Sequence, residues 1–488
     1  MAKNLMIQGT MSGAGKSTIT AGILRILLND GYRAAPFKSQ NMALNSFVTK
    51  DNKEMGRAQV VQAIAAGMEP SSDMNPILIK PMGDTTSQVI VNGEPIGNMK
   101  ASEYYVMKNS LIPDIRAAYD RLSDEADIIV IEGAGSPVEI NLRDNDIVNM
   151  GLAEIMDAPV LLVGNIDPGG VFAQLLGTVS LMTEEERARV KGLIINRFRG
   201  DKSLLMPGLQ MFKEYCSIPF AGVVPYVKLD LDDEDSVSER LDNAFHTASE
   251  SAKIKICVLR LPFISNHSDF TAFGSVPGAN LIYAKDTADL EDADLIILPG
   301  TKNTLKDLLW LRESKMEQAV LDMAGKGTLI IGICGGFQML GEKVDDRDNN
   351  EGGGSLKGLS LLPLSTVFDS NKTLKQVTGQ IGNIEGEYAG LSGADVNGYE
   401  IHMGVTEGDR DIFPAYINGN VLGTYIHGFF DSPDLMEKLI RIIYKRKGIE
   451  DDIKIEDHIL HTEKELDRLA DVLRENLDME MIYKIIGL

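Results

Sequence analysis

Two stretches carry residue types suited to covalent or phosphoryl chemistry. In LIIGICGGFQML (329–340), an apolar run ends at Cys334, two glycines follow, and Phe337, Gln338, Met339 and Leu340 begin a helical pattern. A thiol at a strand-to-helix corner is exposed above the sheet and close to a helix N-terminus, which favours thiolate. The N–H of Gly335 can then point at a developing oxyanion, as can an N–H of the LPGTKNT loop near Gly300 and Thr301. A buried, inert thiol is the alternative for a lone Cys after an apolar run. A thiol nucleophile also needs a base. Of the six histidines, His427 follows the apolar VLGTYI and precedes Gly428, so it can stand at the same sheet edge as Cys334. His402, in NGYEIHMG, is the competitor. His246 lies in an acidic stretch, His458 and His461 in a polar tail, and His267 is the sixth.

The second stretch is MIQGTMSGAGKSTITAGIL (6–24): a strand pattern, a Gly-rich loop, Lys-Ser, then a helix. Five residues separate Gly9 from Gly15, one more than in the usual phosphate loop. Glycines let successive backbone N–H groups face one concavity, and the helix adds its partial positive end. Thr10, Ser12, Gly13, Ala14, Gly15, Lys16, Ser17 and Thr18 are the ATP-binding candidates. Lys16 supplies a charge for the β/γ-phosphates, and the Ser17 hydroxyl can ligate Mg2+. Glu132, after four apolar residues in IIVIEGAGS, can reach the same crevice as a second Mg2+ ligand, or instead cap a helix or pair with a lysine. Asn196, in INRFRGD, can meet a base edge. APFKSQNMALNS (35–46) and MNPILIKP (74–81) supply Lys38, Gln40, Asn41, Asn45 and Lys80, which can line a substrate pocket or belong to a solvated loop.

Alternating elements must position these groups. LMIQG (5–9), DIIVIEG (127–133), PVLLVGN (159–165) and KGLIINR (191–197) read as buried strands. Residues 16–29, 101–123, 170–182 and 203–216 read as helices between them. Such alternation predicts an α/β fold with a parallel sheet and crossover connections. A second alternation, KICVLRL (255–261), ADLIILPG (293–300), TLIIGIC (328–334) and VLGTYIHG (421–428), predicts a second α/β domain. Residues 432–447 and 461–478 read as amphipathic helices. The expected organisation is a nucleotide-binding domain over 1–227, an acidic linker over 228–252, a thiol-bearing domain over 253–450 and a helical tail over 451–488. A length of 488 residues exceeds what one core usually organises.

The net charge of −23 disfavours nucleic acid as a partner. Cys216, Cys257 and Cys334 are far apart and odd in number, which argues against a disulfide framework and fits a reducing cytoplasm. No signal-type h-region opens the chain, and no run reaches the ~18 apolar residues of a membrane span.

GICGGFQML and GTYIHGFF resemble the nucleophile elbow and base strand of class I glutamine amidotransferases. That family carries a Glu two residues after the His; here Phe429 stands there. The departure resembles the cobyrinic/cobyric acid amidotransferase branch and leaves open what orients His427. The N-terminal half resembles dethiobiotin synthetase-like P-loop enzymes. Together with LPFISNHSDF, PGTKNT and GYEIHMG, the motif order from about residue 4 to 445 is similar to that of the cobyric acid synthase family. The resemblance implies Cys334 and His427 as the glutaminase pair, Glu132 as a Mg2+ ligand and the 35–46 segment as part of an active site. It also implies ATP- and L-glutamine-dependent amidation of adenosylcobyrinic acid a,c-diamide at its b, d, e and g carboxylates, giving adenosylcobyric acid. The rivals are amidation at a and c by a cobyrinic acid a,c-diamide synthase and a partitioning-type nucleotide-switch ATPase.

Overall fold

The computed structural model describes residues 2–82, 86–231, 252–349, 351, 353–408, 414–451 and 454–488. The stretch read as an acidic linker, 228–252, lies outside them from 232 to 251. The chain forms two compact units: Met1–Ala43 with Lys53–Ser236 and Thr462–Leu488, and Leu44–Asn52 with Val237–His461.

The first unit is built on a six-stranded, all-parallel sheet. Its order is Phe220–Pro225, Val190–Phe198, Val160–Asn165, Lys3–Gly9, Ile128–Glu132, Ala34–Phe37. Ile128, Ile129, Val130 and Ile131 are all fully buried, as are Val160 to Val163. Continuous apolar runs arise because helices cover both faces of such a sheet. Lys3–Gly9 is an inner strand with crossovers to both sides, so its C-terminal loop opens where parallel sheets bind ligands. The helix read over 101–123 is broken. It runs as Ala101–Met107, a 3-10 turn Lys108–Leu111, and Ile112–Glu125. Pro113 lacks an N–H and suits only the first turn of a helix, so it starts the second segment.

The C-terminal segment does not stand apart. From Thr462 onward it belongs to the first unit. Leu466, Leu469, Ala470 and Leu473 share a core with Ile19, Ile23 and Ile26 of helix Lys16–Asn29. Arg25 grips Asp467 in a two-pronged pair, Nε to Oδ1 at 2.7 Å and Nη2 to Oδ2 at 2.9 Å. The loop-bearing helix is thereby fixed on its outer side.

A smaller sheet of order Gln40–Met42, Ile77–Pro81, Thr86–Val91, Glu94–Lys100 completes the unit. Its apolar runs, Ile77 to Ile79 and Val89 to Val91, are only three residues long, too short for the apolar pattern to mark them as strands. Lys80 is 2 % exposed and its Nζ lies 2.7 Å from Glu54 Oε1, itself fully buried. Removing one member of a buried ion pair leaves the other desolvated and unpaired. Lys80→Ala is expected to lower unfolding free energy by about 3–5 kcal/mol. Adding Glu54→Gln should recover much of it. Urea titration of the single and double variants checks this coupling, and equal losses in both would contradict it.

The second unit has its own six-stranded sheet, of order Ala279–Ala284, Ile254–Leu259, Leu295–Leu298, Leu329–Ile333, Val421–Thr424, Ala415–Asn418. All pairings are parallel except the last. A five-stranded sheet contains the long antiparallel pair Ser365–Gln380 and Asp395–Glu407, and Ile426–His427 adds to its edge. His427 therefore stands where the chain leaves one sheet and joins the other.

Candidate active site

Cys334 is the turn residue between strand Leu329–Ile333 and the short helix Gly335–Leu340. Its φ of +50° is a left-handed conformation that side chains rarely adopt and that costs about 1–3 kcal/mol. The corner is held by Cys334 N–H donating to Thr424 O (2.8 Å) and Gln338 N–H donating to Cys334 O (3.0 Å). The thiol points at Ile401 O, 3.6 Å away. A Cβ on Gly335 would stand 2.6 Å from Thr301 Cγ2 and 3.1 Å from Thr301 N, so only glycine lets these two peptides meet beside the sulfur. The Thr301 hydroxyl donates to the buried Asp307, which also accepts the Phe263 N–H at 3.3 Å. Burial pushes the Asp307 carboxyl up to about 6, against the Thr301 bond. Gly300 adjoins the base: a Cβ there would lie 3.2 Å from His427 Cε1.

His427 is 1 % exposed. Its Nδ1 lies 2.7 Å from Asp269 Oδ2, and Gly428 N–H donates to Asp269 Oδ1 at 3.0 Å. With Nδ1–H given to the carboxylate, Nε2 is the atom left to exchange a proton with sulfur. Burial alone depresses the imidazolium. The Asp269 charge and hydrogen bond, with Cys334 behind them, outweigh it and raise the pKa to about 10. The ring also stacks on Tyr399, centroids 5.5 Å apart.

Asp269 is the residue that reading the sequence missed. It pairs with the His427 ring from another element, 158 positions before the histidine. The only signal was its presence in LPFISNHSDF. His402 lines the pocket on Cys334 together with Lys302, Gln338, Glu351, Lys372 and Ile401. Its Nδ1 is 2.8 Å from Gly404 O, its Nε2 is 3.3 Å from Glu400, and its ring stacks on Tyr425 at 3.7 Å.

In the first unit, Gly13 and Gly15 have φ of +72° and +87°, which turns the Gly-rich loop. A Cβ on Gly15 would strike Asn196 Nδ2 at 2.1 Å. That amide donates to Ala14 O at 3.0 Å, and Asn165 Nδ2 donates to Gly13 O at 3.2 Å. Lys16 curls over the loop, Nζ to Met11 O at 3.2 Å and to Gly135 O at 3.4 Å. Thr10 Oγ1 donates to Gln174 at 3.3 Å.

Glu132 ends its strand 1 % exposed and is surrounded by donors. Ser17 Oγ reaches Oε1 at 2.8 Å, Lys38 Nζ reaches Oε1 at 2.9 Å, and Gln62 Nε2 donates to Oε2. Burial pushes the carboxyl up, but Lys38, Gln62 and Lys16 outweigh it and hold it below the usual carboxylate range. Both the shared crevice with Ser17 and the lysine pairing raised from the sequence are present together. Gln40 accepts from Tyr104 OH at 2.6 Å, and Asn41 donates to Gln59 at 3.0 Å. Lys80 is enclosed with Glu54, and Asn45 belongs to the second unit, its Nδ2 2.6 Å from His267 Nε2.

A family model described as "CobQ/CobB/MinD/ParA nucleotide binding domain" matches residues 5–236, and one for a "CobB/CobQ-like glutamine amidotransferase domain" matches 255–435. Cobyric acid synthase of Lachnoclostridium phytofermentans is 52% identical, over 99% of this chain and 99% of its own. The chain belongs to the cobyric acid synthase family. Its members from Ruminiclostridium cellulolyticum and Alkaliphilus metalliredigens are 51% and 47% identical, over 100% and 99% of this chain and 97% and 99% of theirs. The two centres described here fall one in each matched domain of this cobyric acid synthase family member. Within the family model's glutamine amidotransferase region lie Cys334, His427 and Asp269 alike.

Proposed function

We propose that this chain amidates a corrinoid, adenosylcobyrinic acid a,c-diamide, at its b, d, e and g carboxylates, consuming one ATP and one glutamine per amide. The reading is carried by two side-chain clusters, Cys334 with His427 and Asp269, and Ser17 with Glu132 and Lys38, in a chain related to cobyric acid synthases along its whole length. Burial of the cysteines, all three of them free, supports a reducing, cytoplasmic setting. Among the described residues, no helix is long and apolar enough to cross a membrane.

A carboxylate does not accept ammonia at neutral pH, because oxide would have to leave. Attack of the carboxylate oxygen on the γ-phosphorus expels ADP and gives an acyl phosphate, whose phosphate leaves readily when ammonia attacks the acyl carbon. Lys16 and the loop N–H groups offset charge on the transferring phosphoryl group. Ser17 Oγ and Glu132 Oε1, hard oxygens 2.8 Å apart, suit Mg2+, which takes one or two protein oxygens and completes its shell with phosphate and water. Mg2+ bound there would supply charge neutralisation. Asn196 stays a candidate for the base edge, and Lys38 for offsetting the substrate acid.

In the other centre the Cys334 thiolate attacks the glutamine amide carbon. The His427 imidazolium protonates the departing nitrogen, and water then cleaves the thioester to glutamate. Gly300, Thr301 and Gly335 are the proposed oxyanion donors. Ammonia must arrive as NH3, since NH4+ has no lone pair.

Product mass decides the substrate. With glutamine and MgATP, the a,c-diamide is expected to gain four amides, while cobyrinic acid is expected not to be amidated at a and c. Conversion of cobyrinic acid to the diamide, with no further product, would instead identify an a,c-diamide synthase.

A further inference from the structure

Residues 44–52 are far in sequence from the glutamine amidotransferase region 255–435, yet they belong to the second compact unit. Their contacts fall on the residues that hold the catalytic histidine. Tyr399, whose ring stacks on His427, donates its hydroxyl to Ser46 O at 2.7 Å. Phe47 packs edge-on against the same ring, centroids 5.1 Å apart. Ser46 N–H donates to Asn266 Oδ1 at 3.1 Å. Asn45 clamps His267 twice, Nδ2 to Nε2 at 2.6 Å and Oδ1 accepting the His267 N–H at 3.1 Å. Asp269 stands two residues further along that 3-10 helix, His267–Ser275. Val48 shares a small apolar cluster with Tyr399 and Ile401, and the carbonyl of Ile401 faces the Cys334 thiol. Two supports of His427, one stacked and one charged, are thus both buttressed by the same nine-residue segment.

We propose that residues 44–52 are a positioning element of the glutaminase centre, setting the His427 ring through Tyr399 and its Asp269 partner through Asn45. None of the nine touches substrate in this role. The inference rests on the glutaminase reading of Cys334 and His427. It also means that the region matched as an amidotransferase domain lacks part of what orients its own base.

The test measures glutamate release by the full-length chain with glutamine, MgATP and the corrinoid diamide present. Asn45→Ala, Phe47→Leu and Tyr399→Phe are compared with the unmodified protein. Misplacing a catalytic group without removing it lowers turnover rather than binding. The expected result for Asn45→Ala and Phe47→Leu is a kcat about tenfold lower with the glutamine KM within about twofold. In Asn45→Ala, loosening of Asp269 should also move the alkaline limb of the pH profile toward neutrality. A variant damaged only in folding would lose active fraction and keep that limb in place. Tyr399→Phe removes one hydroxyl and keeps the ring on His427, so it decides the matter if a larger change fails to fold; a severalfold fall in kcat is expected. Unchanged kcat and pH limb in the folded variants would overturn the positioning role. No glutamate release by the unmodified protein would overturn the glutaminase reading itself.

Discussion

Cys334→Ala will abolish glutamine-dependent amidation and leave ammonia-dependent amidation running. The expected fall in the first activity is at least about 10³-fold, since no other group at the corner can form the thioester. Cys216 and Cys257 cannot substitute. Cys216 belongs to the first unit, and Cys257 lies within strand Ile254–Leu259, where burial pushes its thiol up to about 12. Ammonia added at alkaline pH needs only the acyl phosphate, whose formation is assigned to Ser17, Lys16 and Glu132. Alanine keeps the Thr424 and Gln338 backbone bonds that fix the turn and loses only the contacts of the thiol itself, among them that to Ile401 O. Amide formation from each nitrogen source, measured side by side, checks this. Loss of both activities in a folded variant would give Cys334 another role.

Asp269→Asn has the second largest expected effect. The carboxylate fixes the ring through Nδ1 and steadies the imidazolium that the reaction requires. The amide can keep a contact of similar shape but not the charge. Loss of that charge leaves burial to dominate, so the imidazolium pKa falls from its raised value of about 10. The alkaline limb of glutamate release should therefore move down, by about one unit or more, because the protonated ring is lost at lower pH. A drop in kcat of about 10²-fold or more is expected as well, from a misoriented ring. An unchanged limb would mean that Asp269 does not set the proton affinity of His427.

The strands that carry chemistry were legible because both faces of them are buried. Lys3–Gly9, Ile128–Glu132, Val160–Asn165 and Leu329–Ile333 read as apolar runs ending in turn residues, and the groups at their ends are those at the two centres. Cys334, Lys16, Ser17 and Glu132 were accessible for that reason. What stayed hidden depends on long-range partners. Asp269 lies in a 3-10 helix without a strong periodicity, and its meaning comes from a histidine far along the chain. Lys80 looked available because a buried ion pair has no local signature; its partner Glu54 sits on a three-residue strand. Asn45 read as a neighbour of Gln40 and Asn41 because it follows them, yet the chain changes unit at Leu44. The packing of Thr462–Leu488 on helix Lys16–Asn29 was masked by the same effect, since amphipathic periodicity shows an apolar face but not its cover.

Two centres, one releasing nitrogen from an amide and one activating an acid, make sense in a single chain only if their turnovers match. The most direct measurement counts ADP, glutamate and new corrinoid amide in the same reaction under saturating glutamine, MgATP and a,c-diamide. Equal amounts of all three are predicted throughout the time course, until four amides per corrinoid have formed. Nucleotide cleavage that never accompanies amide formation, or amides formed without ADP, would contradict the coupling.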